Sequence, residues 1–168
     1  MSVIAVKEPG SLVTNPIDLI EQLAGAQGWS FERSGDDEMA IEITGRWTDY
    51  RLFFSWIDDL CAVHFACAFD LTVPRHRRNH FNELLARING QLAVGHFDLW
   101  ADRGLPVFRH AILLRGHGCA SVEQIEDLVD IALIECERFY PAFNYVVWGG
   151  KTPKEAVDAA MIETIGEA

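Results

Sequence analysis

The sequence predicts an α+β fold, and three observations carry the prediction. Helix start and stop signals bracket the chain, period-two segments fill residues 29–70, and a second pair of such segments lies at 95–114 between two helical stretches. The order reads helix, four-strand antiparallel meander, helix, β-hairpin, long helix, short C-terminal helix.

Asn15-Pro16-Ile17-Asp18 opens the first helix, with asparagine as N-cap, proline at the first position and an acid in the first turn. Ile17, Ile20, Leu23 and Ala24 form its apolar face, and Gly28 stops it. Trp29 to Arg33 alternates and reads as a strand, with a turn at Ser34-Gly35-Asp36-Asp37. Met39, Ile41 and Ile43 alternate with Ala40, Glu42 and Thr44 in the second strand. Residues 50–57 and 60–69 make the third and fourth, divided by Asp58-Asp59. Both of these are apolar at odd and even positions alike, which predicts strands sandwiched between two layers.

Pro74 ends the meander and opens a helix over 75–90, where Phe81, Leu84, Leu85 and Ile88 recur at helical spacing. Residues 95–101 and 106–114 form a hairpin across Asp102-Arg103-Gly104-Leu105. Ser121 and Gln124 make a capping box for the long helix. Its apolar stripe from Val122 to Cys136 lies opposite Glu123, Glu126, Asp127 and Asp130. Residues 140–148 admit a kinked continuation or a short strand, and the helix is preferred. Gly149-Gly150 breaks it, and Thr152 with Glu155 caps a last helix to about 162, followed by a frayed tail.

At 168 residues, 49% hydrophobic and 11% aromatic, the chain is sized for one folded core rather than disorder. Residues 1–14 are expected as a flexible N-terminus, 15–150 as the domain and 151–168 as a helical extension. No apolar stretch reaches the roughly 20 residues a membrane helix needs, and the opening MSVIAVKEPG lacks a signal-peptide pattern. The expectation is a soluble cytoplasmic protein. Cys61 and Cys67, six positions apart on one strand, are about 20 Å apart and cannot bridge. Cys136 lies on an apolar helical stripe, and Cys119, in a glycine-rich loop, is expected to be exposed.

The net charge of −11 is segmented: −8 over residues 1–73, +4 over 74–120 and −7 over 121–168. All seven bases of the middle segment are arginines. An acidic chain with one arginine and histidine segment repels nucleic acid. The pattern suits a match between basic and acidic surfaces, within one chain or between two.

Two groups are candidate sites. Arg75, Arg77 and Arg78, at a helix start with His76 and His80, suit an anion or an acidic partner. Their blander role is to pair with acids of the long helix or of a second subunit. His96, Asp98 and Trp100 share one face of a strand, which Arg109 joins across the hairpin, and together they suit a carboxylate, a nucleotide or a partner surface. The commoner role of such a cluster is a hydrogen-bonded patch on a half-exposed sheet. His64, His96 and His110 lie on three strands, but His110 shares the face of Phe108 and Ile112, so a core position is expected for it. No nucleophile motif, phosphate loop or metal spacing is present, and no cofactor or metal is expected.

The ordered pieces Trp29-Ser30-Phe31-Glu32-Arg33, Gly45-Arg46-Trp47-Thr48-Asp49-Tyr50, Cys67-Ala68-Phe69-Asp70, the arginines after Pro74, Gly95-His96-Phe97-Asp98-Leu99-Trp100, Phe108-Arg109-His110-Ala111 and Tyr140-Pro141-Ala142-Phe143 resemble the YbjN family of bacterial sensory transduction regulators over roughly residues 15 to 150. The resemblance implies a fold like that of type III secretion chaperones, which form homodimers and bind protein segments without catalysis. It supplies no catalytic residues. The expectation is a non-enzymatic, chaperone-like, protein-binding regulatory module, a homodimer with a further protein partner. The alternative is a small-ligand sensor or weak enzyme using the His96, Asp98, Trp100 and Arg109 face.

Overall fold

The structure is a computed structural model and describes residues 13–165; most of the expected N-terminal lead and the end of the tail lie outside them. Helices and strands follow in the predicted order: α1 (Ile17–Gln27), β1 (Ser30–Ser34), β2 (Glu38–Thr44), β3 (Asp49–Ile57), β4 (Ala62–Phe69), α2 (Arg78–Asn89), β5 (His96–Trp100), β6 (Leu105–Leu113), α3 (Val122–Val147) and α4 (Pro153–Ile165).

Local chemistry accounts for the boundaries. Asn15 caps α1 from one residue before the N-cap, which is Pro16, its Oδ1 accepting from the Ile17 N–H at 3.0 Å. Gly28 closes the helix at φ 72°, a conformation glycine adopts without strain. The Ser121 and Gln124 box forms in both directions. α3 then runs 26 residues, straight through Pro141. Proline removes one helical hydrogen bond, but Phe139, Ala142, Phe143 and Val146 are fully buried on either side of it, and that packing keeps 140–147 helical. Thr152 and Glu155 cap α4 reciprocally.

The sheet has the order β1-β2-β3-β4-β6-β5, every pairing antiparallel. Its inner face presents Ile41, Leu52, Phe54, Phe65, Cys67, Phe97 and Phe108 to the helices, and the buried side chains of all four helices join these in one core. Phe97 sits at its centre, with ring centroids 5.4 Å from Phe108, 6.0 Å from Phe139 and 5.2 Å from Phe143. α4 belongs to the same core through Ala156, Val157 and Ala160.

The expected sandwiching of the third and fourth strands is corrected. β3 alternates, with Tyr50, Leu52, Phe54 and Trp56 buried and Arg51, Phe53, Ser55 and Ile57 turned to the other face. Ala62, Ala66 and Ala68 of β4 and Val107 of β6 are buried on that outer face but stay outside the helical core. They are small side chains overhung by larger neighbours: the rings of Phe53 and Trp100, from β3 and β5, meet at 5.8 Å between centroids. Alanine at every outward position but one made β4 look apolar on both sides. The helices form one layer, and among the described residues the outer face of the sheet carries none.

Candidate functional site

That outer face holds the second predicted group. In the β5–β6 pairing His96 lies opposite Arg109, Asp98 opposite Val107 and Trp100 opposite Leu105, so period two places His96, Asp98, Trp100 and Arg109 on one surface. The Arg109 guanidinium joins two neighbours. Its Nη1 donates to Asp98 Oδ2 at 3.0 Å, and its Nη2 lies 3.2 Å from Nε2 of His64 on β4. Burial, then the Arg109 charge, then His96, hold the His64 imidazole below its ordinary pKa. A neutral ring with an unprotonated Nε2 is the form that accepts from Arg109. Beside this network Arg51 lies over the Phe53 ring, 5.4 Å from its centroid, and reaches Glu32 at 3.3 Å.

His64 and Phe53 are the members that the sequence reading did not place. Both depend on β6 inserting beside β4, a pairing between strands far apart in the chain. His110 is on the inner face opposite Phe65, where burial lowers its pKa. The three strand histidines therefore do not converge. Among the described residues no set of three or more His, Cys, Asp or Glu is arranged to hold a metal ion.

The first predicted group divides. Arg78 donates from Nη1 to the Ala101 carbonyl at 2.6 Å, and its guanidinium packs where a side chain on Gly104 would have to go. It pins the β5–β6 turn and belongs to the fold. Arg75 is exposed and Arg77 partly so, in the 3-10 turn that leads into α2. Neither pairs with the acids of α3 among the described residues, and Glu123, Glu126, Asp127 and Asp130 face solvent. Arg109 is already neutralised by Asp98, and the hydroxyl-bearing Ser55 of β3 stands opposite His64 in the β3–β4 register.

Elsewhere, an apolar groove between α1, α3 and the sheet is lined by Leu23, Trp29, Ile41, Phe54, Ile125 and Val129. Cys67 and Cys136 bring their sulfurs to 3.8 Å within the core. No helix of the described residues is long and apolar enough to cross a membrane.

Comparisons with known proteins agree with this architecture. The model of the YbjN family, described as "Putative bacterial sensory transduction regulator", matches residues 16–144. A crystal structure of E. coli YbjN, described as "a putative transcription regulator", superposes with a TM-score of 0.54 at 13% identity, covering 92% of this chain and 97% of that one. At that identity the likeness is one of fold. No curated protein matches the sequence. The family match takes in α1, the whole sheet and most of α3, and on that footing the chain belongs to the YbjN family.

Proposed function

We propose that this protein is a non-enzymatic, cytoplasmic regulatory module that works by binding protein, in the manner of a chaperone, with the outer face of its sheet as the docking surface. The single observation behind this reading is the one-sided packing: among the described residues four helices cover one face of a six-stranded sheet and leave the other to side chains. That face combines aromatic rings with arginines, the residue types enriched where proteins meet. A small anion would have to displace Asp98 from Arg109, which favours the protein-binding reading over a small-ligand sensor. The description of the family as a regulator points the same way.

The test is native mass spectrometry of the tagged protein purified from its own host, wild type beside Trp100→Ala and Arg109→Ala. A co-purifying polypeptide lost in both variants supports the reading. Retention of a small molecule or metal instead, released by Arg109→Ala, would replace it with a ligand sensor.

A further inference from the structure

At one end of the sheet the outer face carries large apolar side chains that stand open among the described residues. Ile57, Ala62 and Leu113 form one row across β3, β4 and β6, and Leu60 stands beside them in the 3-10 turn between β3 and β4. Ile57 is 38% exposed, Leu60 61% and Leu113 70%. The rings of Phe53 and Trp100 lie further along: Phe53 pairs with Ala66, about 13 Å down the strand from Ala62. An apolar side chain exposed singly is ordinary, whereas adjacent ones mark a contact.

The place where the chain enters the fold points to what makes that contact. The Thr14 N–H donates to the Gly118 carbonyl at 2.7 Å, in the loop that follows β6. Leu114, at the start of that loop, donates its N–H to the Cys61 carbonyl at 2.8 Å. Asn15 Nδ2 donates to the Asp36 carbonyl and to Asp37 Oδ1, both at 2.9 Å, and the Asp37 carbonyl accepts from the Trp56 N–H at 2.8 Å. Trp56, Cys61 and Leu114 each adjoin one of the three open side chains. Position 13 therefore lies at the end of the sheet that carries Ile57, Leu60 and Leu113.

We infer that the segment Val3-Ile4-Ala5-Val6 of the same chain docks on Ile57, Leu60 and Leu113. It is the apolar run of residues 1–12, which lie outside the described span, and three of its four residues are β-branched. Val13 packs against the core on the inner side, so the segment must round the end of the sheet. The six residues from Lys7 to Leu12 reach up to about 20 Å, against roughly 10 Å between packed layers, and Pro9-Gly10 supplies the reversal. Lys7, the single base of residues 1–12, then arrives beside Asp58 and Asp59, both exposed next to Leu60. A segment on so short a tether meets its seat at roughly millimolar effective concentration, which favours it over a second copy or a foreign chain. The seat is the end of the outer face away from Trp100 and Arg109; the inference goes beyond the protein-binding reading and does not depend on it.

Methyl NMR of the full chain, with isoleucine, leucine and valine methyls labelled, tests this. Cross-peaks from Ile4 to Leu60 and Leu113 are expected, unchanged on dilution. Ile4→Asp should abolish them, move the Leu60 and Leu113 methyls toward the shifts of solvated leucine, and speed alkylation of the half-buried Cys61 severalfold. Leu113→Asp, at a surface position, should release the Ile4 methyl in the same way, while Ile134→Asp on the exposed side of α3 should leave every one of these signals alone. Absence of the cross-peaks, with Cys61 reacting equally fast in wild type and Ile4→Asp, would overturn the inference. So would cross-peaks found only between differently labelled copies, which would give the seat to a second chain. Loss of a host polypeptide in Trp100→Ala and Arg109→Ala, or its retention, bears on the functional reading alone.

Discussion

Asn89, the last residue of α2, bonds both backbone groups of Phe97 on the edge strand β5: its Nδ2 donates to the Phe97 carbonyl at 3.0 Å, and its Oδ1 accepts from the Phe97 N–H at 2.7 Å. One side chain thus stands in for a neighbouring strand. With Leu99 N–H donating to Asp98 Oδ1 at 2.8 Å, the outer edge of β5 is closed to strand addition. Asn89→Ala leaves a donor and an acceptor unpaired and should cost about 1–3 kcal/mol. Urea denaturation measures this; a change within error would show that the edge does not need its cap.

Arg78 and its two arginine neighbours should separate cleanly. Arg78→Ala removes the bond to Ala101 and should cost about 1–2 kcal/mol, with faster amide exchange in the 101–104 turn. Arg75→Ala and Arg77→Ala, which hold nothing of the fold, should stay within about 0.5 kcal/mol of wild type. Equal losses at all three positions would mean that the cluster acts as one structural unit.

His64 gives a pH dependence of definite sign. A folded pKa below the ordinary value means that the unfolded chain binds more protons between the two, so this contribution is complete above about pH 6.5 and fades as acid passes through the lower folded value. His110, lowered by burial, acts in the same direction. Removing the Arg109 charge in Arg109→Ala should move the His64 titration upward, as followed by imidazole NMR. A His64 midpoint unmoved in that variant would contradict the contact.

The four cysteines should react in order of access. Cys119 is exposed and Cys61 partly so, while Cys67 and Cys136 are buried. Burial, reinforced by Cys67, holds the Cys136 thiol well above its ordinary range, and a thiol in that state is a poor nucleophile. Alkylation of the native protein followed by mass mapping should label Cys119 first, with Cys67 and Cys136 modified only at the rate of unfolding. Early labelling of Cys136 would show that the core between β4 and α3 opens on its own.

What could be read in advance divides along physical lines. The capping residues Ser121, Gln124, Thr152 and Glu155 and the stripes of α2 and α3 act over three or four positions, and the element order follows from them. Period two was enough to put His96, Asp98 and Trp100 on one surface. It failed for the sidedness of the sheet, because Ala62, Ala66 and Ala68 score as apolar wherever they point. The bonds of Arg78 to Ala101 and of Asn89 to Phe97 join α2 to the turn and edge of the later hairpin. Nothing local distinguishes Arg78 from Arg75 or Arg77.

β1 to β4 can zip together as successive hairpins while the chain is still being synthesised, but β6 must pass α2 and β5 before it reaches β4. α3, whose Ile125 and Val129 meet Phe54 and whose Phe143 meets Phe69, follows later still. At about 5–20 residues per second, the interval between the end of β4 and the end of α3 is roughly 4–16 s. Through that interval only α1 is available to cover the inner face of the nascent meander. Closure of β4 on β6 is therefore the long-range step of folding, and the sheet's inner face is complete only after it.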